Sequence, residues 1–265
     1  MKIALQYANK RDGCTNGAVF KAKKEILDKM SARTIISNVA CNILGERLYT
    51  RLRPGLRADH RYLWKSHGII HVGANAGQER DLYAAFGLYV MWIEPIPEVF
   101  EALRLYISEF PKQRAYKYLV ADDDEKEYHL YVADNGGASS SILGLAKHTK
   151  MYPQVAYQGA ITVRGRTLSS ILTAEQVDVR QFDAMVLDTQ GSELKILKGA
   201  ASLLPKFKFV KVEVPDFESY KECCQIDELS SFMTSRGFRE RNRHLIAHTP
   251  GVGTYFDVVY ERIRG

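Results

Sequence analysis

The residues of this 265-residue chain best spaced for chemistry are a glycine turn and a small set of carboxylates. Gly73-Ala74-Asn75-Ala76-Gly77 follows a short apolar run, Ile69-Ile70-His71-Val72, and opens an amphipathic one. Glycines at such a turn let the backbone approach a ligand closely, and the first N–H groups of a helix offer donors to a carboxylate or phosphate. Gly73, Asn75 and Gly77 are therefore candidate cofactor-binding positions. A dinucleotide loop would carry GxGxxG; the middle glycine is missing here, which turns the reading away from NAD or FAD. Seventeen residues past Gly77, Glu94 ends the next apolar run, where a carboxylate can accept hydrogen bonds from both ribose hydroxyls. Together these features predict an adenosine-containing cofactor without a diphosphate, of which S-adenosylmethionine is the common one.

A second group of polar residues lies further along. Asp188 follows the apolar run 184–187 and is the first candidate for a catalytic base or acceptor-orienting group; its alternative reading is a cap for the helix starting near Ser192. Glu213, in Lys211-Val212-Glu213-Val214, is placed to join Asp188 in holding an acceptor or a divalent cation. No histidine or third acid is placed with them by the sequence, so a metal is left unassigned. The stretch Asn135-Gly136-Gly137-Ala138-Ser139-Ser140-Ser141 interrupts an otherwise tight α/β pattern, as ligand-serving loops do. It reads as a lid, with Ser139, Ser140 and Ser141 as acceptor-binding hydroxyls and His148 as a second candidate base on closure. The alternative for His148 is an ordinary surface histidine. His244 and His248 read as polar positions on a sheet edge.

Positioning these groups requires a regular scaffold, and from Gly68 the pattern supplies one. Strands are predicted at 69–72, 89–93 and 116–121, with helices at 78–86 and 97–109, and the alternation resumes with a strand at 184–187, a helix at 192–203 and a strand at 207–214. This is a parallel, doubly wound sheet. A polar strand at 127–132, a helix at 226–235 and antiparallel strands at 245–248 and 255–261 complete the expectation. The chain divides into an N-terminal helical extension, 1–66, and a cofactor-binding domain, 67–265. In the extension, Val19, Phe20, Ile26, Leu27 and Met30 share one helix face, and Ile36, Val39, Ile43, Leu44 and Leu48 another, which offers a surface for a homodimer contact. Arg47, Arg51, Arg53, Arg57 and Arg61 form a belt that either meets a phosphate or is a solvated face.

Composition excludes several classes. Apolar residues make up 46% of the chain and charged residues 26%, enough to bury a core and unlike a disordered or collagenous chain. No apolar run approaches the roughly 18 residues of a membrane-spanning helix, and the N-terminus turns polar before an apolar signal core forms, so a cytoplasmic protein is expected. Cys14, Cys41, Cys223 and Cys224 lack metal-ligand spacing and read as reduced thiols. The net charge of +6 is compatible with an anionic ligand without choosing one.

With these residues in view, the chain resembles the FkbM-type methyltransferases. The similar segments are His71-Val72-Gly73-Ala74-Asn75-Ala76-Gly77, Ile93-Glu94-Pro95-Ile96-Pro97 with Phe100 and Leu103, Ser139-Ser140-Ser141-Ile142-Leu143, and Val163 with Thr167-Leu168. Most specific is Leu187-Asp188-Thr189-Gln190-Gly191-Ser192-Glu193-Leu194 running into Leu197-Lys198-Gly199-Ala200. The resemblance covers about 68–215. It implies a class I, Rossmann-like fold of seven strands with the last antiparallel, S-adenosylmethionine as methyl donor, S-adenosylhomocysteine as product, and O-methylation of a sugar, glycan or secondary-metabolite hydroxyl. Within it, Asp188 also borders the cofactor, Gln190 joins the acceptor-binding set, and Asp122 reaches the adenine amino group, unless Ala121-Asp122-Asp123-Asp124 is simply a solvated turn. One departure stands out: the family usually carries an acid where this chain has His71, near the methionyl part of the cofactor. His71 is thus either a substitute cofactor contact or a residue packed beneath the turn. Two other functions compete: an RNA methyltransferase, from the basic charge and the arginine belt, and a cofactor-binding protein without turnover, from His71.

Overall fold

The computed structural model describes residues 58–263. The N-terminal helices, Cys14, Cys41 and the belt arginines before Arg61 lie outside that range. A 3-10 helix, Ala58–Lys65, leads into strand β1, Gly68–Val72, whose five residues are all buried. The helix α1 (Arg80–Ala85) follows, then β2 (Tyr89–Ile93), α2 (Pro97–Ile107) and β3 (Gln113–Tyr116). After an excursion described below come α4 (Leu168–Ala174), β7 (Ala184–Leu187), α5 (Glu193–Gly199), β8 (Phe209–Pro215), α6 (Ile226–Ser235), β9 (Phe238–Thr249) and β10 (Gly253–Arg262).

These strands form one seven-stranded sheet in the order β3-β2-β1-β7-β8-β10-β9. All pairings from β3 to β8 are parallel, and β10 runs antiparallel to both neighbours. The period of two along each strand sends alternate side chains to opposite faces. Ile70, Val72, Met91 and Ile93 pack with α4, α5 and α6, while Ile69, Val90 and Trp92 pack with Tyr62, Tyr83 of α1 and Leu103 of α2. Both faces are covered, as a parallel sheet demands. The chain leaves β1 toward β2 and β3 and returns on the other side at β7, so the reversal of strand order falls between β1 and β7. Ligands of such sheets collect at the carboxyl ends of the strands flanking that reversal.

The excursion is a small second sheet in the order β4-β6-β5, built from β4 (Leu119–Val120), β5 (Glu127–Ala133) and β6 (Tyr157–Arg166), with the short helix α3 (His148–Met151) between the last two. Here the sequence reading is corrected. The expected strand 116–121 is two strands: Gln113–Tyr116 pairs with β2, and Leu119–Val120 crosses to β6. β3 is an edge strand, needs little apolar surface, and so left a polar signature that the apolar 118–121 outshone. β6 was not expected at all, because its solvent-facing residues and two glycines blur the alternation. β9 is twelve residues long rather than the four expected, since its arginine-rich first half lies on the open sheet edge. The helix expected at 192–203 ends at Gly199, and a 3-10 turn, Leu204–Lys206, follows before β8.

Candidate active site

The glycine turn leaves β1 with Gly73 at φ +78° and Asn75 at φ +46°, both in the left-handed region. A side chain at Gly73 would place its Cβ 2.0 Å from the carbonyl oxygen of Asp188, so only glycine lets the two loops touch. The Asp188 N–H in turn donates to the Val72 carbonyl at 3.1 Å. Gly77 is buried, and a Cβ there would meet Leu103 Cδ1 of α2 at 2.7 Å; it serves packing. The helix does not start at Gln78: Gln78 and Glu79 are turn residues, and α1 begins at Arg80.

Glu94 sits where expected, just past β2. Its buried carboxylate accepts from the Asn75 N–H (2.8 Å) and the Ile96 N–H (3.0 Å), tying the turn to the strand end. Asn75 Nδ2 donates to the Gly136 carbonyl at 3.0 Å, which lays the 135–141 loop against the glycine turn. The three serines of that loop serve it internally. Ser139 Oγ accepts from Asn135 Nδ2, Ser140 Oγ from the Ala133 N–H and Ser141 Oγ from the Leu143 N–H, while Ser141 Oγ donates to the Gln190 carbonyl at 2.7 Å. Their hydroxyls shape the 135–141 loop, and Ser141 clamps it to the Asp188 turn.

Asp188 is half-buried at the end of β7 and does not cap α5, whose N-cap, Ser192, makes no side-chain cap bond. Glu193 closes the turn instead: its carboxylate accepts from the Thr189 N–H at 2.9 Å and the Gly191 N–H at 3.0 Å. Burial pushes the Glu193 carboxyl up to about 7, and those amide donors oppose the rise. The acid of the Asp-x-x-Gly-x-Glu block that sequence reasoning passed over is thus the one that builds the turn.

Gln190, at φ +58° in the same turn, joins the carboxylates. Its Nε2 donates to Asp188 Oδ1 (2.6 Å) and to Glu213 Oε1 of β8 (3.2 Å), and its Oε1 accepts from the Tyr220 hydroxyl (2.7 Å). The side chain expected to meet an acceptor is engaged as a bridge. Glu213 and Asp188 do come together, on adjacent strand ends. Beyond them lies an aromatic group that the sequence did not announce. His148 stacks on Tyr220 with ring centroids 4.9 Å apart, and its Nδ1 lies 2.7 Å from the Tyr255 hydroxyl. His148 is neither on a loop nor exposed: it is 3% accessible in α3, and burial lowers its pKa to about 4, so it stays neutral near pH 7.

Two expected residues stand elsewhere. His71 Nδ1 lies 3.2 Å from the Tyr83 hydroxyl and its ring stacks on Trp92 at 4.9 Å, beneath the glycine turn on the α1 face of the sheet. This is the packed arrangement of the two alternatives. Asp122 is exposed, accepts from the Tyr128 hydroxyl at 2.8 Å, and has its backbone against Gly199, at the end of α5 away from the Asp188 turn. It lies between β4 and β5 and is held by Tyr128 of the second sheet. Among the described residues no group of three or more His, Cys, Asp or Glu is arranged to hold a metal ion.

A doubly wound sheet of this strand order, with a glycine turn after β1 and a carboxylate ending β2 beside the reversal point, is the architecture of a Rossmann-like methyltransferase. The methyltransferase FkbM domain model matches residues 71–240, and the chain belongs to that family of S-adenosylmethionine-dependent methyltransferases. No curated protein matches the chain in sequence. Among solved structures, it is similar to the 1,6-didemethyltoxoflavin-N1-methyltransferase of Burkholderia thailandensis, crystallised with 1,6-didemethyltoxoflavin and S-adenosylhomocysteine. The identity is 9% over 88% of this chain and 91% of that one, with a TM-score of 0.42. It is also similar to the magnesium protoporphyrin IX methyltransferase of Synechocystis PCC 6803 with bound S-adenosylhomocysteine, at 6% identity over 74% and 73% of the chains and a TM-score of 0.42. No helix among the described residues is long and apolar enough to cross a membrane.

The donor set fits S-adenosylmethionine. A carboxylate ending β2 supplies the acceptors that the two O–H donors of a ribose require, since a carboxylate oxygen has more than one lone pair and each Glu94 oxygen accepts a single backbone bond.

Proposed function

We propose that the protein is an O-methyltransferase acting on a hydroxyl of a sugar, a glycan or a secondary metabolite. The observation that carries this reading is the pairing of Asp188 and Glu213 through Gln190 at the reversal point, with Asp188 against Gly73. When bound, S-adenosylmethionine supplies an electrophilic methyl group whose leaving sulfide is neutral, so no acid is needed at the donor. Glu94 and the Asn75 turn hold the cofactor. Asp188 orients the acceptor hydroxyl and takes its proton as attack makes that hydroxyl acidic, and Glu213 steadies the same acceptor. Alignment does most of the work: holding reactants at attack distance is worth about 7–11 kcal/mol. A carboxylate pair suits a hydroxyl-rich acceptor, since each oxygen accepts a hydrogen bond.

The RNA reading finds less support. Arg239 and Arg241 of β9 share Glu261, and Arg243 pairs with Glu240, so two carboxylates engage the three arginines of this edge, and most of the belt that suggested RNA lies outside the described residues. The test is transfer of label from methyl-labelled S-adenosylmethionine to a panel of sugars, glycans, phenolic and polyketide alcohols, and RNA. Label in a sugar or small-molecule hydroxyl supports the proposal; label in RNA alone, or cofactor binding with no transfer to any acceptor, overturns it.

A further inference from the structure

The bridge between Asp188 and Glu213 is an amide, and an amide has two unlike ends. One way round, the Gln190 amino group donates to both carboxylates; turned over, its carbonyl oxygen faces two acceptors and both bonds are lost. The backbone leaves this choice open, because a glutamine χ3 torsion is broad and roughly two-fold. The two carboxylates favour the amino group on their side, and a third contact fixes the other end: the Tyr220 hydroxyl lies 2.7 Å from Gln190 Oε1 and 3.4 Å from the Ser139 carbonyl, and donates to the amide oxygen.

We propose that Tyr220 is a positioning residue for methyl transfer: its hydroxyl pins the oxygen end of the Gln190 amide, and through it holds Asp188 and Glu213 in place for the acceptor. The proposal deepens the function given above and rests on its assignment of Asp188. The surroundings hold Tyr220 for this task. It is completely buried, its ring stacks on His148, and His148 is anchored by the Tyr255 hydroxyl. The chain around it is tied to the segment that follows the 135–141 loop by the Lys221 N–H to the Gly144 carbonyl at 2.8 Å and by a bridge between Leu145 and Tyr220. Gln190 is clamped from the other side as well, through the Ser141 hydroxyl on its carbonyl. Burial raises the phenol well above its ordinary value, so it remains a donor across the working pH range. The titratable groups around the amide and its two carboxylates include Glu193 from the same turn, Tyr255 from β10, Tyr157 from β6, His148 and Tyr152 beside α3, and Cys223.

The test follows the Asp188 carboxyl by carbon-13 NMR in protein labelled on its side-chain carboxylates, with the resonance assigned from Asp188→Asn. Tyr220→Phe removes the anchor at the amide oxygen, so the Gln190 donor that favours the ionised Asp188 carboxylate loosens, and the titration midpoint should rise by roughly one pH unit. Gln190→Met should raise it at least as far, and adding Tyr220→Phe to Gln190→Met should change nothing more, because the second residue acts only through the first. A midpoint unmoved in Tyr220→Phe, or a shift that persists undiminished in the Gln190→Met background, overturns the proposal. A purely structural tyrosine would lower Tm and leave the midpoint where it was. In the unaltered protein both Gln190 side-chain N–H protons should exchange slowly with solvent; rapid exchange of either overturns the arrangement without any substitution. Full methyl transfer by Asp188→Asn would sink the assignment of Asp188 while leaving the titration result standing, so the two failures are distinct.

Discussion

The backbone N–H of Asn75 lies 2.8 Å from Glu94 Oε2, so the turn that leaves β1 is fastened to the carboxylate that ends β2. One side chain therefore shapes the glycine turn, and under the proposed function it would also take the ribose hydroxyls of the cofactor. The turn and the acid, nineteen residues apart, form a single unit rather than two separate contacts.

Glu94→Gln keeps the shape and removes the charge. Hydrogen bonds to charged groups contribute about 1.5–3 kcal/mol, so the affinity for S-adenosylhomocysteine, read by calorimetry, should fall roughly 10- to 100-fold. An unchanged Kd would place the ribose elsewhere.

Asp188→Asn preserves the acceptor for Gln190 and abolishes the base. Loss of a positioned acid or base typically costs about 10²- to 10⁴-fold. Turnover with any accepted substrate should drop by at least the lower figure, while Tm and cofactor affinity stay near wild type.

Gly73→Ala forces a methyl group onto the Asp188 carbonyl at a backbone angle that alanine avoids. A clash of this kind, added to left-handed strain of about 1–3 kcal/mol, should make it far more damaging than Gly87→Ala. Gly87 has the same sign of φ and open space where a Cβ would go. Thermal melts of the two variants, compared side by side, measure the difference.

His148 titrates near 4 when folded and near 6.5 when unfolded. Between those values the unfolded chain binds the extra proton, so the stability contributed by the buried neutral ring is present above pH 6.5 and lost as pH falls toward 4. The linkage is worth about 3 kcal/mol at most. Denaturant unfolding across pH 4–7 should show a steeper acid loss in the wild type than in His148→Gln, the gap between the two changing only within that window.

His71→Asp restores the acid that the family usually carries. The position faces Tyr83 and Trp92, so the carboxyl would be buried among rings at a cost of about 1–3 kcal/mol, with no gain in cofactor affinity. Tighter binding of S-adenosylmethionine by this variant would show that the residue does reach the ligand.

What the sequence determined by itself is the set of features that depend on near neighbours along the chain. The alternation of β1, α1, β2 and α2, the glycine turn, Glu94 at a strand end and Asp188 after β7 all follow from local period and turn chemistry, and the structure puts each in its place. The weak strands, β3, β6 and the first half of β9, escaped because edge positions and lightly covered faces do not require an apolar pattern. Tertiary structure alone decided which polar atoms meet. Tyr220 and Gln190 are thirty residues apart, and His148 and Tyr255 one hundred and seven. Their encounter depends on the order of β7, β8 and β10 in the sheet and on the path of the lid, which no window of sequence contains. The same holds for the three serines, Asp122 and His71: residue type said what each was able to bind, and the fold, by burying or turning each side chain toward a neighbour, selected the partner.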